Sequence, residues 1–226
     1  MCTVTYVPLQ DGFCITSNRD EQVTRARAIP PKEYNLNNKK ITFPKDSKAG
    51  GTWFAKSEEA TIVLLNGANE KHNIKPPYRK SRGLIVLDLI SSEKIIEKWK
   101  NIDLENIEPF TIVLFYNESL YQLQWNEVEK SITNLDINQN HIWSSSTLYS
   151  KKIREKRAKW FFEFLKKNKN ITAKELLNFH QFTEKSNKDF GLQINRNNSL
   201  KTISITQSVN INNNTKIQYI DLLTNE

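Results

Sequence analysis

The stretch MCTVTYVPLQDGFCITSNRDE, residues 1–21, decides how this chain is read. Residues 2–7 (CTVTYV) and 13–17 (FCITS) alternate and are rich in β-branched and aromatic side chains, as half-buried strands are. Asp11-Gly12 between them is the dipeptide of a tight hairpin turn. The hairpin predicts that the chain returns toward its own start near residue 18, which brings Asn18, Arg19, Asp20 and Glu21 back to Cys2. Removal of Met1 leaves Cys2 with a thiol and a free α-amine on one residue. The same position also suits a small apolar residue opening an edge strand, because unpaired cysteine is usually buried and inert.

The 226 residues predict a single domain over 1–226 with a substantial core. A hydrophobic fraction of 38% and an aromatic fraction of 10% suit a soluble globular protein, and the mean hydropathy of −0.62 lies on the polar side. No run approaches the ~18 apolar residues of a membrane-spanning helix. The start of the chain lacks the basic flank, apolar stretch and cleavage site of a secretory signal. Cys2 and Cys14 are the only cysteines, so no disulfide framework is implied and a reducing, cytoplasmic location is expected. His72, His141 and His180 are scattered without ligand spacing, so neither a metal site nor a cofactor is expected. The net charge of +8 raises a nucleic-acid reading. Lysine and asparagine share A-rich codons, however, and no RNA- or DNA-binding motif is present, so no nucleic-acid partner is expected. The oligomeric state stays open.

Beyond the hairpin, residues 22–48 read as irregular, with Pro30-Pro31 and an Asn-Asn-Lys-Lys run. AGGTWFAK (49–56) and ATIVLLNGA (60–68) read as strands. Ser81 is a candidate N-cap for a helix through RGLIVLDLI, and a second helix is expected over 92–100. Strands are expected at 109–116, 119–125 and 128–133, with Asn117-Glu118 as a tight turn. From 148 to about 168, Ile153, Ala158, Trp160, Phe161, Phe164 and Leu165 form an apolar stripe against a basic face. That face reads as the solvated outside of a helix covering a sheet, with a helix lying on a lipid surface as the alternative. A shorter helix at 172–181 and strands near 201–208 and 216–222 complete the chain, with NINNNT (210–215) as a hairpin loop. The order predicts an α+β fold; two antiparallel sheets packed face to face with helices on both outer faces accommodate it well, and so does a single sheet, which the pattern alone does not separate from them.

Asn18-Arg19-Asp20-Glu21 resembles the tetrapeptide that names the NRDE family, which includes the transport and Golgi organisation protein 2 relatives. Further likeness lies in MCT at the start, AGGTWFA (Ala49–Ala55), LLN ending at Asn66, and SRG at 81–83. The likeness spans roughly the first ninety residues. It implies kinship with N-terminal nucleophile hydrolases, hence a four-layer αββα sandwich, with penicillin V acylases and bile-salt hydrolases the nearest comparison.

By that resemblance Cys2 is the nucleophile and its α-amine the base. Asp20 is the first choice to orient the amine, Glu21 the alternative, and Arg19 the accompanying guanidinium. Asn18 belongs to the same binding segment. Asn66 is an oxyanion donor or a cap on the turn into Gly67. Gly50 and Gly51 permit close approach of backbone, and Trp53 is a pocket wall or a core indole. Where related hydrolases carry an oxyanion asparagine this chain has Ser145-Ser146, and Ser146 also reads as the N-cap of the long helix. Cys14 reads as core. The implied activity is hydrolysis of a linear amide in a small acylated molecule. The alternative is a non-catalytic protein binding or moving a lipid, acyl-CoA or haem in the same pocket, with Cys2 as a thiolate ligand to haem iron.

Overall fold

The computed structural model describes residues 3–168, 171–212 and 214–223, so Cys2 lies outside the described residues. In chain order the elements are β1 (Thr3–Leu9), β2 (Gly12–Gln22), β3 (Ile29–Leu36), β4 (Lys39–Lys45), β5 (Phe54–Lys56) and β6 (Ala60–Asn66). Helices α1 (Arg82–Ile90) and α2 (Ile95–Asn101) follow, then β7 (Phe110–Tyr116), β8 (Ser119–Trp125), β9 (Lys130–Leu135) and β10 (His141–Ser144). Next are α3 (Lys151–Lys167), α4 (Ala173–Phe182), β11 (Asn195–Arg196), β12 (Leu200–Ile211) and β13 (Asn214–Asp221). They divide into two compact units, one from residues up to 25 and from 138 onward, the other from 26 to 137.

In the first unit the hairpin turns where the sequence places it, with Leu9 opposite Gly12 and Thr3 opposite Asn18. β2 runs on to Gln22 because β12 pairs with it along almost its whole length. The sheet order is β10-β1-β2-β12-β11, with β13 also on β12, and every pairing is antiparallel. Gly12 is required by this close approach: a Cβ there would lie 1.9 Å from the carbonyl oxygen of Asn210. Helices α3 and α4 cover one face of the sheet. Phe161, Leu176 and Phe179 pack there against Val7, Cys14 and Leu192. Each buried apolar side chain of this size contributes about 1.5–3 kcal/mol.

The second unit is a meander, β3 through β9 in sequence order. Residues 22–48 are not irregular as expected, because β3 and β4 form a hairpin within them. Its turn is Asn37-Asn38, with φ of 51° and 62°, a left-handed pair that asparagine tolerates. Asn117-Glu118 makes the expected tight turn in the same way, with φ of 48° and 55°. α1 covers β5 and β6, and α2 packs on α1.

Candidate functional site

β2 carries the NRDE residues, and pleating divides them between two faces. Thr16, Asn18 and Asp20 face the helices, as Cys14 does, whereas Ser17, Arg19 and Glu21 face the other way. Asn18 and Asp20 enter a fully hydrogen-bonded interior.

The Asn18 side chain donates from Nδ2 to the carbonyl oxygens of His180 at 3.1 Å and Leu192 at 2.7 Å. This fixes Oδ1 as its acceptor, and the ring Nδ1–H of His180 donates to it. The bare Nε2 then accepts from the hydroxyl of Thr5 at 2.8 Å. Burial together with the Arg157 charge lowers the His180 pKa to about 3, which keeps the imidazole neutral and Nε2 bare. The amide of Asn18 thus fastens α4 to β2.

Asp20 accepts from the hydroxyl of Tyr149 at 2.6 Å and from that of Thr202 at 2.5 Å. Thr202 reaches it because β12 bulges at Ile203: Thr202 pairs with Asp20 and Ser204 with Arg19. The extra residue restores Thr202 to the helix side, where Gln207 also lies. Only 4% of Asp20 is exposed. Tyr149 lies with its ring 3.6 Å beneath the Arg157 guanidinium.

On the opposite face Arg19 and Glu21 form an ion pair at 3.6 Å, and Arg25 approaches the same carboxylate at 3.6 Å. Arg19 is almost wholly buried, while Glu21 keeps a quarter of its side chain exposed. Val4 pairs with Ser17, and Ser204 with Arg19, so β1 and β12 flank this face. Tyr219, paired with Thr206 there, has its pKa raised, chiefly by burial, with the Arg19 charge opposing.

Ser145 and Ser146 follow β10, whose last residue Ser144 pairs with Thr3. Both are buried, and Ser145 shares a 2.8 Å hydrogen bond with Thr147. Ser146 is not the helix cap: α3 starts at Lys151 and its N-cap is Ser150, because residues 145–149 turn first, with Tyr149 N–H donating to Ser145. Cys14 is core as expected, its thiol pushed up to about 12 by burial.

Gly50, Gly51, Trp53 and Asn66 belong to the second unit. Gly50 has φ of 73° with open space where a Cβ would stand. Gly51 meets Gly83 backbone to backbone, and Thr52 N–H donates to the Gly83 carbonyl at 3.1 Å. The GGTW and SRG segments are thus one contact between a turn and the start of α1. Trp53 is buried. Asn66 is half-buried at the end of β6, and the turn beyond it is closed by Gly67 N–H on Pro109 and by the Thr111 hydroxyl on Gly67.

The sequence reading missed Tyr149, Arg157, His180 and Thr202. Arg157 carried a usable signal: Ile153, Arg157, Phe161 and Leu165 lie four apart on one helix stripe, so an arginine occupies an inward position.

A family model described as Transport and Golgi organisation 2 matches residues 1–221. None of the curated proteins matches the sequence. Among solved structures, a variant of conjugated bile acid hydrolase from Clostridium perfringens is similar, with 11% identity and a TM-score of 0.57 over 99% of this chain and 93% of that one. A mutant of Anbu from Hyphomicrobium sp. strain MC1 is more distantly similar, with 11% identity and a TM-score of 0.44 over 98% and 89%. The likeness to the bile acid hydrolase shows the α+β, N-terminal nucleophile hydrolase-like fold expected from the sequence.

Proposed function

We propose that this chain, which belongs to the Transport and Golgi organisation 2 family, is a cysteine N-terminal nucleophile hydrolase acting on a linear amide of a small acylated molecule. The observation that carries the reading is the β1–β2 register. It sets Asn18 opposite Thr3, the residue bonded to Cys2, and places the Arg19–Glu21 ion pair next along β2. Fold likeness to a hydrolase over nearly the whole chain supports it.

Of the two carboxylates, Glu21 fits the amine-orienting role better. Asp20 accepts from Tyr149 and Thr202 on the helix side, while Glu21 shares the face of Arg19 and of Val4, the second residue after Cys2. In the proposed reaction the Cys2 thiol gives its proton to its own α-amine and attacks the amide carbonyl. The C–N bond breaks as the amine passes that proton to the leaving nitrogen, giving a thioester. Water then cleaves the thioester, releasing the acid and restoring the thiol. Ser145 and Ser146 stand where the hydrolase pattern has an asparagine that holds the oxyanion. The proposal includes a cytoplasmic location; no helix among the described residues is long and apolar enough to cross a membrane.

The test is a panel of N-acyl amides given to protein from which Met1 has been removed, beside equilibrium binding of acyl-CoA and haem. Turnover that disappears in Cys2→Ser supports the enzyme. Tight binding that survives Cys2→Ser, without turnover above the mutant, identifies a carrier instead.

A further inference from the structure

We infer that Arg157 is a positioning residue for Cys2, acting through the hydroxyl of Thr3; the inference rests on the hydrolase reading of Cys2. Arg157 extends from α3 and is fully buried. Its Nη1 donates to Thr3 Oγ1 at 2.6 Å, Nε to the Phe190 carbonyl at 3.1 Å and Nη2 to the Gly191 carbonyl at 2.5 Å. No carboxylate among the described residues forms an ion pair with it.

Such a placement is unusual for a buried cation, which normally meets a carboxylate. Here the charge is met by two carbonyl dipoles, one hydroxyl and the face of Tyr149. Tyr149 in turn donates to Asp20, so the compensating anion lies one aromatic ring away. The Thr3 hydroxyl is the only side-chain oxygen that takes a hydrogen bond from this guanidinium among the described residues. Thr3 is also where three constraints meet: the pairing to Asn18, the pairing to Ser144, and the Arg157 bond. A fold that needed only to hold β1 in its sheet has the two ladders for that purpose. The third bond fixes the strand at the residue next to the proposed nucleophile, and the guanidinium fork, anchored on the 190–191 carbonyls, supplies a rigid post. Its field is felt nearby, since it contributes to keeping His180 neutral.

The experiment compares the alkylation rate of Cys2 by iodoacetamide at neutral pH, read on the N-terminal peptide, in wild type, Thr3→Val, Thr3→Ser and Arg157→Lys. Cys14 serves as the internal reporter of an intact fold, because its buried thiol stays unmodified while the core is closed. Thr3→Val removes the acceptor and keeps the shape, and is expected to slow Cys2 alkylation by about tenfold. Thr3→Ser restores the oxygen and is expected to return the rate to within about twofold of wild type. A purely structural threonine would not follow the hydroxyl in this way. Arg157→Lys, which keeps the charge but not the fork, is the second variant and is expected to be slow as well. A folded Thr3→Val or Arg157→Lys protein whose Cys2 reacts at the wild-type rate overturns the inference. A wild-type Cys2 no faster than a free N-terminal cysteine peptide overturns the hydrolase reading, and the inference with it.

Discussion

The hydroxyl of Tyr149 donates to the carboxylate of Asp20 across 129 residues of sequence, at 2.6 Å and out of contact with water. This bond, with that from Thr202, makes Asp20 part of the scaffold behind the N-terminal strand. Tyr149→Phe is expected to destabilise the protein by about 1–3 kcal/mol in urea unfolding, the range for a buried acceptor losing a donor. Asp20→Asn is expected to fall in the same range, since the new amide nitrogen replaces one of the two accepting oxygens and so faces a hydroxyl that donates.

Glu21 predicts the opposite pattern. Its ion pairs with Arg19 and Arg25 are long and partly solvated, worth about 0–1 kcal/mol together with their screening. Glu21→Gln should leave the unfolding midpoint nearly unchanged while lowering turnover of an N-acyl amide. Retained turnover in Glu21→Gln with loss in Asp20→Asn, at equal stability, returns the orienting role to Asp20.

Two adjacent glycines are expected to differ. A Cβ on Gly51 would stand 2.4 Å from the carbonyl carbon of Gly83, in backbone that has no rotamer to yield. Gly51→Ala must push α1 off its seat and is expected to cost about 3 kcal/mol or more. Gly50→Ala meets open space and only a positive φ, a strain of about 1–2 kcal/mol. Urea midpoints of the two variants check the order; equal midpoints would contradict the close contact.

His180 links the fold to pH. Its folded pKa near 3 lies below its ordinary 6.5, so the unfolded chain takes up the proton first. The stabilising contribution is therefore complete above about pH 6.5 and is lost as the pH falls from there toward 3, at up to about 1.4 kcal/mol per pH unit. His180→Gln should flatten this part of the stability profile between pH 6.5 and 4. A variant profile parallel to wild type through that window would show that His180 is not the source.

Particular residues show how far the sequence could be read. Asp11-Gly12 and the flanking alternation carry the first hairpin in full, because turn chemistry and strand pattern agree there. The β3–β4 hairpin was hidden by Pro30-Pro31 and by lysines on both strands, although Asn37-Asn38 is itself a turn signal. Alternation separates Arg19 and Glu21 from Asn18 and Asp20. It does not reveal that Asp20 meets Thr202, because that contact depends on a bulge at Ile203, and a bulge arises only between paired strands. Arg157 stands at the spacing of Ile153 and Phe161 on the apolar stripe, but its charge groups it by residue type with the basic face, so pattern alone does not bring it inside.

The central claim is that the Cys2 thiol becomes acylated, and trapping that intermediate tests it most directly. Protein with Met1 removed is mixed with a reactive N-acyl amide, quenched in acid within the first turnover, digested, and weighed peptide by peptide. The account predicts the mass of the acyl group on the N-terminal peptide alone, absent in Cys2→Ser, with Cys14 unmodified. An N-terminal peptide that stays unmodified while product forms, or an acyl group that persists in Cys2→Ser, would contradict it.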